Sequence, residues 1–208
     1  MWGPVIGEVL QRRTLTQWQD SRVLEIGFRQ GKLAALLAKL GATVHGLETQ
    51  PAYVPAASAY AASKGVESRC NFEVADFFTL PSQYDLVVTK SVLYSIKEVA
   101  RYRDWVTGMA NVLVAGGEIM LIENGSGNSL VKFARKLSRS HRLHADCLLS
   151  NPVVLDIIGE KFDILGLKSY YAFAPLMPRE IVSAFERRFL HVSFSKSAIF
   201  WLHGKKKE

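Results

Sequence analysis

The sequence predicts an α/β protein: a doubly wound, mostly parallel seven-stranded sheet with an antiparallel last strand and helices on both faces. Three observations carry this expectation. From residue 22 to 123, short runs rich in Val, Ile and Leu alternate with segments of helical length, the pattern of strands joined by crossover helices. The run at 85–89, Asp-Leu-Val-Val-Thr, is continuously apolar, as in a strand buried on both faces. The first run, Val23 to Ile26, stops at Gly27, and beyond Gly31 a helix-forming segment begins at Leu33. That order is strand, tight turn, helix.

The elements follow in turn. Residues 4–13 are expected to form a first helix, with Pro4 in its first turn. Asp20-Ser21 breaks the pattern ahead of the strand at 22–26. The helix at 32–40 stops at Gly41, a natural C-cap. A second strand, 42–47, ends in Glu48, and an alanine-rich helix at 51–63 closes at Gly65. A third strand, 71–75, ends in Asp76, and the fourth is 85–89. The helix at 97–113 carries Val99, Tyr102, Val106, Met109, Ala110 and Leu113 at helical spacing. Gly116-Gly117 is expected to turn it into a fifth strand, 118–123. Then come a Gly/Ser/Asn loop at 125–129, a basic helix at 129–143 and an apolar helix from Pro152 to 159. A sixth strand at 162–169, a helix at 178–190 and a seventh strand at 197–203 complete the chain. No internal repeat or linker interrupts it, so 1–208 is expected to be one domain. It divides into a core at 22–123, a basic and apolar helical insertion at 124–160, and closing elements at 161–208.

Composition sets the class. The chain has 208 residues, 49% of them hydrophobic and 22% charged, the balance of a globular protein with a full core. It lacks an apolar run long enough to span a bilayer and starts without signal-peptide character. Cys70 and Cys147 offer neither a disulfide framework nor metal-ligand spacing, so a cytoplasmic protein without a metal is expected. Net charge is +7. Lys132, Arg135, Lys136, Arg139 and Arg142 crowd one amphipathic segment with no acid among them, and Lys205 to Lys207 crowd the C-terminus. The C-terminal cluster reads as a solvated tail. The segment at 132–142 reads first as a solvated helix face, and otherwise as a lid or surface for an acidic or lipid-like partner.

Function is sought at the carboxyl ends of the strands, where open α/β sheets bind ligands. The turn at 27–31 leaves backbone bare at its glycines, and the following helix N-terminus presents free N–H groups. Glu48 lies 23 residues after Glu25. An acid at that distance suits the two hydroxyls of a ribose. Asp76, followed by Phe77 and Phe78, suits an adenine amino group beside a stacking ring. Either acid could instead be a plain helix cap. Together they read as an adenosine site. The dinucleotide fingerprint fails, since Arg29 and Lys32 stand where glycines are required, and the Gly-Lys-Ser/Thr phosphate loop fails at Leu33.

The spacing Glu25-x-Gly27-x-x-x-Gly31 resembles that of the class I S-adenosylmethionine-dependent methyltransferases, whose loop reads acid-x-Gly-x-Gly-x-Gly. Only the middle glycine differs, replaced by Arg29. Val44 to Glu48 resembles the family's second strand with its ribose acid, and Val74-Ala75-Asp76 its adenine-side acid. Tyr84 to Val88 resembles its fourth strand, and Leu113 to Glu118 its turn into strand five. These five matches stand in register across 22–123. The resemblance implies binding of S-adenosylmethionine by Glu25, Gly27, Phe28 and Gly31, by Glu48 and Thr49, by Asp76 and Phe77, and by Lys90. It implies methyl transfer from the sulfonium to a nucleophile, for which proximity and orientation are the protein's main contribution. Tyr94, just past the fourth strand, stands where the family's acceptor pocket begins and is the one candidate catalytic residue. Thr89-Lys90-Ser91-Val92 is not the Asn/Asp-Pro-Pro-aromatic motif of the relatives that methylate exocyclic amines. A small-molecule or lipid-like acceptor, methylated on oxygen or nitrogen, is therefore expected. The alternatives are a degenerate cofactor-binding partner subunit and an RNA methyltransferase that uses the basic helix, with nucleic acid the weaker reading.

Overall fold

The computed structural model describes residues 2–126, 149–170 and 199–208. Its strands are β1 (Arg22–Ile26), β2 (Thr43–Glu48), β3 (Cys70–Val74), β4 (Tyr84–Lys90), β5 (Leu113–Asn124), β6 (Phe162–Tyr170) and β7 (Ile199–Lys206). Its helices are α1 (Trp2–Leu10), α2 (Leu15–Trp18), α3 (Lys32–Lys39), α4 (Tyr53–Ser63), α5 (Val99–Val112) and α6 (Asn151–Gly159). The strands form one sheet in the order β3-β2-β1-β4-β5-β7-β6. The pairs β1/β2, β1/β4, β2/β3 and β4/β5 are parallel, and β7 runs antiparallel to both β5 and β6. The expected mostly parallel sheet with an antiparallel last strand is therefore present.

Strand alternation separates two apolar layers. Leu24, Ile26, Leu47 and Val87 face a core shared with Tyr102, Val106 and Met109 of α5 and with Ile157 and Ile158 of α6. Val23, Val44, Leu86 and Val88 face the other core, shared with Val5 and Val9 of α1 and with Leu33, Ala34 and Leu37 of α3. Helices thus cover both faces. The parity also puts Glu25 and Lys90 on the α1/α3 side, while their neighbours Ile26 and Thr89 point the other way.

Several details depart from the sequence reading. A short helix, α2, occupies 15–18, where Thr14 and Gln17 complete a reciprocal capping box. Gly116-Gly117 does not turn the chain out of a helix that ends at 113. The strand starts at Leu113, which pairs with Tyr84, and Glu118 is the next partner, opposite Leu86, so 114–117 bulge within β5. Val99 is not part of the buried stripe of α5, since it is 42% exposed. The C-terminal lysines are not a loose tail. Lys205 and Lys206 lie in β7, Lys206 Nζ donates to the Leu113 carbonyl and Lys207 Nζ to the Gly159 carbonyl. The basic segment 132–142 and the helix expected at 178–190 lie outside the described residues, as does Cys147. No helix among the described residues is long and apolar enough to cross a membrane.

Candidate active site

The register of the sheet brings the sequence candidates to one edge. Ile26, the last residue of β1, pairs with Leu47 and with Thr89. Gly27 therefore emerges between Glu48 and Lys90, the last residues of β2 and β4. Glu48 pairs with Val74, which brings Ala75 and Asp76 alongside. Gly27 N–H donates to the Leu47 carbonyl at 2.8 Å, and the Gly31 N–H donates to the Phe28 carbonyl at 2.8 Å, closing the turn. Gly27 has φ +79, and a Cβ there would lie 2.5 Å from Val92 Cγ2. Glycine is required at this position by both conformation and contact.

Two cavities flank this turn. The first, of about 720 Å³, is bordered by Gly27, Glu48, Thr49, Asp76, Phe77 and Tyr94, among others. The second, of about 660 Å³, is bordered by Glu25, Phe28, Lys90, Ile6, Lys32 and Leu36, among others. Gly27, Arg29 and Tyr53 belong to both walls. Nine of the ten sequence candidates thus border one cavity or the other. Gly31 borders neither; it caps α3 with φ +67 and lies under Ala57 and Phe72.

Glu48 is the best prepared acceptor in the first cavity. Its Oε1 accepts from the Thr49 N–H at 2.9 Å and its Oε2 from the Arg29 N–H at 3.3 Å. These bonds hold the carboxylate at the rim with lone pairs left for a diol. Asp76 is a cap, one of the two roles considered for it. Its Oδ1 caps the short turn at 77–79 by accepting from the Phe78 N–H at 3.1 Å, and the residue still borders the cavity. Of the two phenylalanines, Phe77 is 3% exposed and Phe78 46%. They form an aromatic cluster with Trp105, with ring centroids 4.2 to 5.9 Å apart. Phe78 is the ring with a face open to the site, while Phe77 belongs mainly to the core.

Sequence reasoning missed four residues here. Arg101 and Trp105 reach the first cavity from one face of α5. Their four-residue separation was a usable signal, masked by the stronger apolar stripe beside it. Tyr53, at the start of α4, borders both cavities. Glu123 is buried at the end of β5, where it accepts from the Thr89 hydroxyl at 2.8 Å and from the backbone N–H groups of Val92 and Tyr94. It thereby fixes the loop that carries Val92 against Gly27 and Tyr94 against the cavity. Only the parallel β4/β5 pairing places it there.

Glu25 is unusual. It is 2% exposed, and its Oε2 has no hydrogen-bond partner. Burial raises its carboxyl to about 8, against the lowering influence of Lys90 and the Ala34 N–H. Burial likewise raises Glu123 to about 7. Each folded-state pKa lies above the ordinary 4.5, so the folded protein keeps these protons where the unfolded chain has released them. Stability is accordingly expected to fall as pH rises from about 4.5 to 8 and then to level off, by on the order of a few kcal/mol. Denaturant unfolding of wild type and Glu25→Gln at pH 5.5 and 8.5 measures this. The variant should show a clearly smaller loss; an equal loss in both proteins would mean that Glu25 is not the proton carrier.

The arrangement is that of a Rossmann-type sheet with a glycine turn after its first strand, carboxylates at the ends of the next two, Glu48 and Asp76, and a cavity on either side of the turn, a layout suited to a nucleoside cofactor. The comparisons with known proteins place it further. A family model described as a methyltransferase domain matches residues 18–167, and the chain belongs to the class I S-adenosylmethionine-dependent methyltransferase family. No protein of curated function matches it by sequence. Among solved structures it is similar to the N-methyltransferase NodS from Bradyrhizobium japonicum WM9 in complex with S-adenosyl-L-homocysteine. That match has a TM-score of 0.66 and 15% identity, and covers 99% of this chain and 87% of that one. A protein of echinomycin biosynthesis, active in converting a disulfide bond into a thioacetal group, matches with a TM-score of 0.68 and 18% identity over 98% and 81% of the two chains. The [4+2]-cyclase SpnF matches with a TM-score of 0.68 and 15% identity over 98% and 80%. Among the described residues there is no cluster of His, Cys, Asp and Glu suited to a metal.

Proposed function

We propose that this methyltransferase holds S-adenosylmethionine across both cavities and methylates a small-molecule or lipid-like acceptor on oxygen or nitrogen. The observation that carries the reading is the convergence of Glu25, Glu48 and Asp76 on one glycine turn from three successive strand ends. The unpartnered Glu25 Oε2 matches the cofactor's ammonium group, the two Glu48 oxygens match its ribose hydroxyls, and Asp76 with Phe78 matches its adenine. When bound, the sulfonium supplies an activated methyl group. The chain's own contribution is orientation and exclusion of water. Val92, Tyr94, Ser95, Arg101 and Trp105 form part of the wall of the first cavity, where apolar and aromatic groups stand beside a hydroxyl, a phenol and a guanidinium, a mixture that suits a compact acceptor. Tyr94 is the residue we assign to the acceptor side. Its phenol borders the cavity and can orient an acceptor by a hydrogen bond.

The segment 132–142 is read as a contact for an acidic or lipid-like acceptor, with nucleic acid as the lesser reading. We read the chain as one methyltransferase domain, with 124–160 inserted and 161–208 closing the sheet. We read the setting as cytoplasmic from the sparse cysteine usage of the chain, Cys70 and Cys147. The second reading, a partner subunit without activity of its own, is favoured by one observation: Arg29 stands where the family has glycine.

Thermal unfolding with S-adenosylmethionine, S-adenosylhomocysteine and NAD in parallel tests the reading. A ligand at about 100 times its dissociation constant adds roughly 2.7 kcal/mol, a rise on the order of 5–10 °C for this size. A rise with the two adenosyl-sulfur ligands alone is expected. A rise with NAD alone, or with none, overturns cofactor binding by the isolated chain.

A further inference from the structure

We infer that Arg29 seats the carboxylate of the cofactor's amino-acid end in the second cavity, with Lys90 as its companion cation, and makes that carboxylate a requirement for tight binding. The inference rests on the cofactor reading above and goes beyond it by assigning a selectivity to a residue the family's glycine cannot supply.

Three observations converge. Arg29 borders both cavities, at the point where they meet across Gly27 and Tyr53. Its backbone has φ +50, a left-handed conformation that a side chain other than glycine, asparagine or aspartate rarely takes. The conformation is held by the N–H donated to Glu48. The loop therefore keeps the path that a glycine would give it, while adding a guanidinium at its tip. That guanidinium has no hydrogen-bond or ion-pair partner among the described residues.

The charge around it is the second observation. Arg29, Lys32 and Lys90 all border the second cavity, against one acid, Glu25. Burial disfavours the charge of Lys90, Glu25 beside it favours that charge, and Arg29 lies close enough to oppose it in turn. Glu25 offsets one of these charges, and a second anion in the cavity would relieve the repulsion that remains between Arg29 and Lys90. A guanidinium offers a carboxylate two parallel donors, a fit that a lysine does not have.

The third observation is Glu25. Its Oε2, on the same wall, lacks a hydrogen-bond partner and is open to a donor such as an ammonium, whose charge would also favour release of the carboxyl proton. A cavity with one buried acid and a facing pair of cations matches a zwitterion, an ammonium beside a carboxylate. Ile6, Phe28, Leu33 and Leu36 supply the apolar remainder, suited to a short methylene chain.

The test is isothermal titration of the whole chain with three ligands: S-adenosylhomocysteine, its decarboxylated analogue S-adenosyl-3-thiopropylamine, and 5′-methylthioadenosine, which lacks the amino-acid end. Wild type should prefer S-adenosylhomocysteine over the amine by about tenfold or more, the value of a charged hydrogen-bonded pair. Arg29→Gly, whose backbone suits the loop, should reduce that preference below about threefold and leave 5′-methylthioadenosine within about twofold of wild type. Arg29→Lys should recover part of the preference. An equal preference in wild type and Arg29→Gly, or none in wild type while S-adenosylhomocysteine binds, overturns the role of Arg29 alone. Failure of both S-adenosylhomocysteine and 5′-methylthioadenosine to bind wild type overturns the cofactor reading as well.

Discussion

Glu48→Ala is expected to weaken S-adenosylhomocysteine binding by about 100-fold or more. A carboxylate that accepts from two hydroxyls contributes about 1.5–3 kcal/mol through each bond, and both are lost together. The local structure adds to this. Glu48 Oε2 accepts from the Arg29 N–H, and Oε1 from the Thr49 N–H. Removing the side chain therefore also releases the turn that separates the cavities. Glu48→Gln keeps one acceptor oxygen and should fall between the two. Titration calorimetry gives the affinities, and circular dichroism confirms that the variants fold. Affinity for Glu48→Ala within about threefold of wild type would remove the ribose assignment.

Gly31→Val is expected to cost about 3–5 kcal/mol of folding stability, the largest effect of any single change discussed. Gly31 has φ +67, and a Cβ there would lie 2.8 Å from Ala57 Cβ and 3.1 Å from Phe72 Cζ. The substitution thus adds left-handed strain to overpacking between α3, α4 and β3. Gly65→Ala is the control. Gly65 has φ +65 but open space around its Cβ position, so conformation alone should cost about 1–2 kcal/mol. Urea unfolding separates the two contributions. A loss below about 1 kcal/mol for Gly31→Val would mean that α4 yields freely. Gly31 then would not be the packing hinge of the loop.

These two residues also show what could be read in advance. The position of Glu48 was legible because an acid at the end of a strand has a single neighbourhood in a parallel sheet, the edge where the strands' carboxyl ends meet the cavities. Gly31 was legible as a glycine but not in its purpose. The one-dimensional pattern cannot tell a glycine that admits a ligand from one that admits Ala57 and Phe72. Phe77 and Phe78 present the same limit. Adjacent aromatics point in different directions, and only the turn at 77–79 and the position of Trp105 decide which one keeps an open face.

Tertiary pairing decided the rest. Glu123 reads as the last residue of a strand, and its grip on Val92 and Tyr94 exists only because β5 lies beside β4. Lys205 and Lys206 read as solvated because charge runs at chain ends usually are, yet β7 draws both into the sheet and sets the Lys206 ammonium on the Leu113 carbonyl of β5. The sequence by itself determined the alternation of strands and helices, the parallel core, and the acids at its ligand edge. Apolar periodicity and strand-end position are local properties that the chain carries with it. The tertiary structure decided which side chains share a cavity, which cations meet across it and which carboxylates lose their water. Those depend on distances between residues far apart in sequence, and no local pattern encodes them.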